Sequence, residues 1–282
     1  MLSYPSIPSV SPPPRAFDAV VFDMDGVVTD TASVHARAWK RMFDEYLAHR
    51  AAVPAACEAG AARARSSAST SFKEFSPADY RAYVDGKPRY DGVAAFLQAR
   101  GISLPRGTPT DAAGSGTVCG LGNRKNVLFN QLLASDGVQV FPATLALIHG
   151  LRRQGVRVGL ATSSRNADLI LGRAQIRGLF ATVVDGLVAE RMQLRGKPAP
   201  DIFAAACTGL GVHCSRAIIV EDAVSGVRAG AAGGFGLVVG VAREDNAQEL
   251  RDNGADVVVT DLGEISVEVL AARVRAKREG GR

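Results

Sequence analysis

The sequence predicts an α/β fold in which a doubly wound parallel sheet carries an inserted α-helical domain. From about residue 140 onward, short apolar runs alternate with helical segments, a pattern typical of a parallel sheet covered by helices on both faces. One further apolar run, DAVVF at 18–22, stands far upstream, and much of the segment between is patterned as helix. The chain is therefore predicted to be one α/β domain that is interrupted after its first strand.

The N-terminal part supplies the first strand and the first helix of the insertion. MLSYPSIPSVSPPPR contains five prolines and predicts a disordered or extended lead-in over 1–15. The strand at 18–22 runs directly into the acidic turn DMDG, and a helix is predicted to begin near Ser33. One face of that helix carries large apolar residues, which are Trp39, Phe43, Tyr46 and Leu47. Trp39 is interpreted as a core residue.

The middle of the chain is predicted to contain short helices and two long loops. Residues 51–75 are rich in Ala, Ser and Arg, lose the helical periodicity, and are interpreted as a loop insertion. Helical segments follow near 91–99 and 124–134, separated by a Gly/Pro/Thr-rich loop at 101–116. This part is therefore predicted to be a helical unit with irregular connections.

The remaining elements alternate to the C-terminus. Strands are predicted at 156–161, 182–184, 217–220, 236–239 and 256–259, with helices near 143–153, 166–175, 201–209 and 224–232 and a last helix at the end. The resulting Rossmann-like core comprises 16–32 and 139–282, and the helical cap comprises 33–138. An insertion directly after the first strand lies above the carboxyl ends of the strands, where open α/β sheets bind ligands.

Composition and charge disfavour several functional classes. The net charge of +5 is concentrated in the last ten residues, and a basic tail this short does not indicate nucleic-acid binding. No apolar run approaches the ~20 residues that span a bilayer, and the N-terminus lacks the charged start of a signal peptide. The four cysteines match no zinc spacing, which predicts reduced thiols in a cytoplasmic protein. The oligomeric state is left open.

Four short polar motifs each follow a predicted strand or lie in the loop beyond it. Taken singly, each could be a turn, a helix cap, a loop or a solvated strand end. Parallel strands bring their carboxyl ends to one edge of the sheet, so the motifs can converge, and their joint occurrence favours a functional site. They are Asp23-Met24-Asp25-Gly26, Thr162-Ser163-Ser164, Gly196-Lys197-Pro198 and Glu221-Asp222.

The residue types in these motifs suit transfer of a phosphoryl group. Asp23 is a candidate nucleophile and Asp25 a candidate general acid and base, two residues apart at a strand exit. Because a carboxylate repels phosphate, a divalent cation is needed between them, and Mg²⁺ prefers oxygen ligands. Thr162 offers a hydroxyl and Lys197 a positive charge to phosphate oxygens. The expected Mg²⁺ ligands are Asp23, the Asp25 carbonyl, Glu221 and Asp222.

The set DxDG…[ST]…K…ED resembles the signature of haloacid-dehalogenase-like phosphotransferases, over nearly the whole chain from about residue 16. Within that superfamily the sequence is similar to the β-phosphoglucomutase family through FDMDGVVTDTASVHARAWK, GKPRYD, NRKN, ATSSRN, GKPAPDIF and VEDAVSG. The resemblance implies a Mg²⁺-dependent phosphomutase acting on a hexose phosphate, with Asp23 as the phosphorylated nucleophile. The catalytic residues that it implies are Asp23, Asp25, Thr162 and Lys197.

The resemblance also implies substrate-binding residues, many of them in the cap. Arg89, in the pattern Gly86-x-x-Arg89-x-Asp91, would meet a dianionic phosphate, although by itself it could be a surface arginine. The adjacent Arg124 could serve in place of Lys125. The implied substrate-binding residues are Thr31, His35, Gly86, Arg89, Lys125, Ser163, Ser164 and Asn166.

Three functions remain open at this point. The first is interconversion of β-D-glucose 1-phosphate and glucose 6-phosphate through an aspartyl phosphate and glucose 1,6-bisphosphate, which the continuation TDTxxxHxxAW favours. A sugar-phosphate phosphatase would use the same catalytic residues but let water attack phospho-Asp23. A non-catalytic sugar-phosphate sensor, or a domain of a larger trehalose- or maltose-processing enzyme, is disfavoured because every expected catalytic residue is present. The long loops at 51–75 and 101–116 leave the choice of hexose open.

Overall fold

A parallel β-sheet lies at the centre of the computed structural model, which describes residues 15–52, 73–243 and 245–280. Within these residues the sheet has six strands in the order β3-β2-β1-β4-β5-β6. The strands are β1 Ala19–Phe22, β2 Arg157–Ala161, β3 Thr182–Val184, β4 Ala217–Glu221, β5 Leu237–Val241 and β6 Val257–Val259. Central strands of a parallel sheet are buried on both faces, which explains why β1 is the continuous apolar run AVVF.

Helices cover both faces of this sheet. Val20 and Phe22 pack towards a face that carries α5, α6 and α11, whereas Ala19 and Val21 pack towards α8. Because successive side chains of a strand point to opposite faces, β1 contributes to an apolar layer on each face of the sheet. The helices are α1 Ala32–Ala52, α2 Pro77–Asp79, α3 Arg89–Ala99, α4 Val118–Asp136, α5 Pro142–Arg153, α6 Ala167–Arg173, α7 Gly186–Arg191, α8 Asp201–Leu210, α9 Val224–Ala232, α10 Ala247–Asp252 and α11 Val267–Gly280. One π-helical turn, Tyr80–Val84, and three 3₁₀ turns, Arg177–Leu179, Cys214–Arg216 and Leu262–Glu264, complete the list.

Helices α1 to α4 form a separate layer, which we call the cap. Its centre is an aromatic cluster in which the Phe96 ring lies 4.0 Å from Phe43 and 5.1 Å from Phe75, measured between centroids. The N-terminus of α4 is capped by the Thr117 hydroxyl, which accepts a hydrogen bond of 2.9 Å from the Gly120 amide. The cap therefore has an aromatic cluster at its centre, which is continuous with the apolar core on one face of the sheet.

Two segments connect the cap to the sheet and lie against each other. The first, residues 26–31, follows β1, and the second, residues 137–141, precedes α5. Thr29 and Val140 form an antiparallel bridge, and the Phe141 amide donates to the Val28 carbonyl at 3.1 Å. We call these segments the first and second linkers.

The predicted fold class is confirmed by this doubly wound parallel sheet with its inserted helical layer. Strand β5 begins and ends slightly later than predicted, and α4 begins at Val118 rather than near 124 because Thr117 supplies a cap. Two short helices, α7 and α10, were not predicted, since six residues show no recognisable helical period. The lead-in up to residue 14 and most of the loop insertion, 53–72, lie outside the described residues.

Position along the strands explains why the polar motifs meet. Phe22 pairs with both Leu160 of β2 and Val220 of β4, so the residues that follow these positions leave the sheet at one level. The Asp23 amide donates to the Val220 carbonyl at 2.9 Å, which continues the ladder to the edge. No helix among the described residues is long and apolar enough to cross a bilayer.

Replacing Phe96 by alanine should lower the free energy of unfolding by about 3–5 kcal/mol, because a buried aromatic ring at the centre of the cap would leave a cavity. Val127→Ala is the matched control, since Val127 is exposed on α4 and its truncation should change stability by less than about 0.5 kcal/mol. Urea unfolding monitored by circular dichroism measures both. Equal losses in the two variants would contradict the central place of Phe96 in the packing of the cap.

Candidate active site

A buried ion-pair cluster joins the ends of β1 and β4. The Lys197 ammonium lies 2.5 Å from Asp23 Oδ1 and also contacts Glu221 Oε1. All three side chains are almost fully buried, with Lys197 only 1% exposed. Burial alone would lower the pKa of Lys197, but the charges of Asp23 and Glu221 outweigh it and raise that pKa above its ordinary value. Lys197 is therefore a permanent cation inside the site.

Three carboxylates crowd around the end of β4. Oxygen atoms of Asp23, Glu221 and Asp222 lie within 4.8 Å of one another. Burial and the charge of Glu221 raise the pKa of Asp222 well above its usual range. Burial also raises the pKa of Asp23, against the opposing attraction of Lys197. One lysine does not balance three negative charges, so the donor set fits a divalent cation with oxygen preference such as Mg²⁺.

Glu221 contributes to this cluster differently from the two aspartates. Its Oε1 contacts Lys197, and its Oε2 accepts hydrogen bonds of 2.9 and 3.0 Å from the amides of Asp222 and Ala223. Both oxygens thus already have partners that belong to the protein. Glu221 consequently orients Lys197 and the following turn, in addition to standing beside any bound cation.

The turn after β1 requires glycine at position 26. Gly26 has φ +85°, in the left-handed region. A Cβ there would also lie 1.7 Å from Asp222 Oδ2. Both observations exclude a side chain, because the backbone must come this close for the first linker to pass beside the carboxylate cluster. The last position of the DxDG motif therefore requires glycine, both because a Cβ has no room there and because φ is positive.

Asp25 faces a different set of groups from Asp23. Its Oδ1 accepts a hydrogen bond from the Thr31 hydroxyl and lies 3.4 Å from His35 Nε2, and its Oδ2 lies 3.5 Å from Thr162 Oγ1. Burial alone would raise the pKa of Asp25, but His35 and the Thr31 hydroxyl outweigh it and the net shift is downward. Asp23 and Asp25 thus occupy different electrostatic surroundings although they are two residues apart.

His35 and Lys125 reach Asp25 from the cap. The Lys125 ammonium contacts His35 Nδ1, and the His35 ring stacks on Phe129 at 4.1 Å. Burial, reinforced by Lys125, lowers the pKa of His35. Burial, reinforced by Arg89, also lowers the pKa of Lys125 well below its ordinary value. A neutral imidazole that accepts from Lys125 at Nδ1 carries its proton on Nε2, on the side of Asp25.

Lys125, not Arg124, is the residue that lines the cavity. Arg124 pairs instead with Glu45 at 2.9 Å, and 36% of its side chain is exposed. The Lys125 ammonium lies 4.9 Å from the ring centroid of Trp39, which also lines the cavity. The ambiguity between the two neighbouring cations is therefore resolved by the direction of each side chain on α4.

Arg89 is a buried cation at the cap side of the site. Its Nη2 donates to Asn126 Oδ1 at 2.8 Å, and Asn166 Nδ2 donates to the same oxygen at 2.9 Å. No carboxylate in the described parts of the chain forms an ion pair with it. Burial lowers the pKa of Arg89 to about 10. An anion at this position would supply the counter-charge that the Arg89 guanidinium lacks among the described residues.

The loop at Gly86 is held against the sheet by two hydroxyl groups. Ser163 Oγ donates to the Gly86 carbonyl at 2.8 Å, and Ser225 Oγ donates to the Asp85 carbonyl at 3.2 Å. Gly86 has φ +65°, and a Cβ there would lie 2.3 Å from Ser225 Oγ. The predicted binding residues Gly86 and Ser163 are thus brought together, and they pair with each other.

A single cavity of about 70 Å³ connects the groups from the sheet and the cap. This volume holds a few water molecules. The cavity is lined by most of the predicted site residues, namely Asp23, Asp25, His35, Gly86, Arg89, Lys125, Thr162, Ser163, Ser164, Lys197, Glu221 and Asp222.

Two predicted substrate-binding residues lie behind the cavity wall. Thr31 is fully buried, and its hydroxyl is engaged with Asp25 and Thr29. Asn166 contacts Asn126 rather than the cavity itself. Thr31 is therefore placed to orient Asp25, and Asn166 to hold the amide that binds Arg89.

The sequence reasoning missed several residues that line or support the cavity, among them Arg165 and Asn126. Arg165 lines the cavity from the middle of the motif ATSSRN and pairs with Glu190 at 2.9 Å. Asn126 ends the motif NRKN and bridges Arg89 to Asn166. Each stands inside a motif quoted for its neighbours, so the motif itself was the available signal.

Known proteins share this arrangement and much of this sequence. A family model described as haloacid dehalogenase-like hydrolase matches residues 17–234. A β-phosphoglucomutase of Mycobacterium bovis is 43% identical over 93% of this chain and 97% of its own length. An uncharacterized glycosyl hydrolase of Mycobacterium tuberculosis is 36% identical over 91% of this chain, which spans 18% of that protein.

Solved structures agree with the fold. The crystal structure of a β-phosphoglucomutase from Clostridium difficile superposes with a TM-score of 0.69 at 21% identity, covering 93% of this chain and 98% of that one. The resemblance read from the motifs is thereby confirmed. The chain belongs to the haloacid dehalogenase-like hydrolases and, within them, to the β-phosphoglucomutase family.

Proposed function

We propose that the protein is a Mg²⁺-dependent β-phosphoglucomutase with Asp23 as nucleophile and Asp25 as general acid and base. One observation carries the proposal. A single cavity has the Asp23–Lys197 pair and Asp25 on its sheet side, and the buried Arg89, which has no carboxylate partner among the described residues, on its cap side. A sugar with phosphates at both ends needs such a cavity, one end for transfer and the other for binding.

The two aspartates divide the chemistry between them. Phospho-Asp23 would pass its phosphoryl group to the C6 hydroxyl of β-glucose 1-phosphate while Asp25 takes the hydroxyl proton. The resulting 1,6-bisphosphate would turn over in the site. Asp23 would then attack the phosphorus at C1, the bond to the sugar oxygen would break, and Asp25 would return the proton to that oxygen. Glucose 6-phosphate leaves, and Asp23 is phosphorylated again.

Surrounding residues keep each aspartate in its role. Lys197 neutralises Asp23 and would bind the equatorial oxygens of the transferring group, with the Thr162 hydroxyl beside it. The contacts of Asp25 with Thr31 and His35 aim it at the sugar oxygen and away from phosphorus. Arg89, with Arg165 and Ser164 near it, would hold the other phosphate, and Lys125 would face the sugar.

A magnesium ion would be held by Asp23, Asp222, Glu221 and the Asp25 carbonyl. When bound, it would neutralise charge that otherwise repels the phosphoryl group from Asp23.

Cys119, Cys207 and Cys214 are free thiols, which supports a cytoplasmic location for the enzyme.

The function is tested by ³¹P NMR of the protein with Mg²⁺, β-glucose 1-phosphate and a trace of glucose 1,6-bisphosphate. Growth of the glucose 6-phosphate signal with little inorganic phosphate is expected, and Asp23→Asn should show neither product. Inorganic phosphate as the main product would instead establish a sugar-phosphate phosphatase that uses the same residues. Activity that persists in Asp23→Asn would refute the assigned nucleophile.

Replacing Arg89 by alanine should lower kcat/KM for the mutase reaction by about 10- to 100-fold, because a charge-assisted hydrogen bond contributes about 1.5–3 kcal/mol. Hydrolysis of a small ester such as p-nitrophenyl phosphate, which has no second phosphate, should be spared. Arg124→Ala is the control, since Arg124 pairs with Glu45 outside the cavity. A parallel fall of both activities in Arg89→Ala would show that Arg89 does not bind the distal phosphate.

Magnesium should raise the melting temperature of the wild type and not that of Asp222→Asn. A ligand at about 100 times its Kd stabilises by about 2.7 kcal/mol, which thermal unfolding with and without Mg²⁺ detects. Without metal, Asp222→Asn should be at least as stable as the wild type, since the raised pKa of Asp222 marks an unfavourable charge. Asp201→Asn, whose carboxylate pairs with Arg195, is the control and should keep the metal response. A full response in Asp222→Asn would exclude this residue as a ligand.

A further inference from the structure

Arg243 contacts both linkers between the sheet and the cap, although it belongs to neither. It follows β5, and its Nε donates to the Gly26 carbonyl at 2.8 Å. Its Cζ lies 3.6 Å from the ring centroid of Phe141, a stacked cation–π contact. Gly26 stands in the first linker and Phe141 ends the second. A single guanidinium therefore lies across the point at which the chain leaves the sheet and returns to it.

The hydrogen bond to Gly26 places Arg243 one residue from Asp25. Gly26 is packed against Asp222 with no room for a Cβ, so its peptide cannot shift without disturbing the carboxylate cluster. The amide of Gly26 is bound in turn to the Thr29 carbonyl at 2.8 Å. Both polar groups of this glycine are thus fixed, one by the linker itself and the other by Arg243.

The surroundings of Arg243 hold it in this position. Only 21% of its side chain is exposed, and Nη1 lies 3.5 Å from both the Thr260 carbonyl and Asp261 Oδ2. Its Nη2 is buried without a hydrogen-bond partner among the described residues.

We propose that Arg243 is a positioning residue, which fixes the turn carrying Asp23 and Asp25 against the second linker and so aligns the acid/base with the nucleophile. Its side chain contacts neither the carboxylates of Asp23 and Asp25 nor the cavity. It acts through the Gly26 peptide and the Phe141 ring. The proposal takes its reaction from the proposed function, but it requires only that Asp23 and Asp25 work together on a phosphate ester.

The experiment compares steady-state kinetics of the wild type, Arg243→Ala and Arg243→Lys on β-glucose 1-phosphate. Misplacing a catalytic group by a fraction of an ångström slows the chemical step more than it weakens binding. In Arg243→Ala we expect kcat to fall at least about tenfold while KM changes less than about threefold. Arg243→Lys keeps a donor for the Gly26 carbonyl and loses the planar stack, so its kcat should lie between the two.

The control and a second readout separate positioning from general destabilisation. Arg152 also donates to a backbone carbonyl, that of Gly178 at 3.0 Å, so Arg152→Ala removes the same kind of bond far from the linkers and should keep kcat. Trp39 is the chain's single tryptophan and lines the cavity, so its fluorescence reports binding of glucose 6-phosphate. Arg243→Ala should bind this ligand as the wild type does.

Several results would overturn the proposal. A folded Arg243→Ala with wild-type kcat, or an equal loss in Arg152→Ala, would reduce Arg243 to a structural contact. If Arg243→Ala does not fold, Arg243→Lys and Phe141→Leu replace it, and wild-type kcat in both refutes the role. A wild type that does not isomerise the sugar refutes the proposed function alone, and the same variants are then compared on p-nitrophenyl phosphate.

Discussion

The ion pair between Lys197 and Asp23, shared with Glu221, is the interaction on which the site depends. Three charged side chains are buried together where two adjacent strands end. Removing Lys197 would leave two buried carboxylates without their shared counter-ion, which is strongly unfavourable. Parallel pairing of β1 with β4 sets their spacing, because consecutive positions on both strands leave the sheet together. The fold thus determines the electrostatics, and the charge cluster in turn explains why these strand ends tolerate polar residues at all.

Much of the fold and of the sheet side of the site could be predicted because the signals are local. Strands are apolar runs, and Asp23, Thr162 and Glu221 directly follow or end such runs. Arg243 could not be predicted, since its partners stand far away in the chain and no pattern around it marks the contact. Asn126 stands inside the motif NRKN, but it acquires its role only when α3 and α6 bring Arg89 and Asn166 to it. Thr31 was found by resemblance, but only the coordinates show that it serves Asp25.

The site is formed jointly by the sheet and the cap, which share one continuous apolar core. The sheet supplies the groups that would handle the transferring phosphoryl group, whereas the cap supplies His35, Arg89 and Lys125. Two linkers that lie side by side join the cap to the sheet. The candidate catalytic groups and the cap residues of the cavity thus lie on separate sets of elements, so one set can vary while the other is kept.

Because the cap carries two cations, Arg89 and Lys125, closure of the cap over the sheet depends on the charge of what the cavity contains. In the observed arrangement Arg89 and Lys125 are buried without a carboxylate partner in the described residues, and burial lowers the pKa of each. The contacts that hold the Gly86 loop to the sheet are neutral hydroxyl-to-carbonyl bonds, each contributing about 0.5–1.5 kcal/mol. Closing an empty site therefore brings little gain against an electrostatic penalty. Under the proposed function, a dianionic sugar phosphate would reverse this balance by acting as the missing counter-ion, and the substrate itself would then provide the driving force that shuts out water.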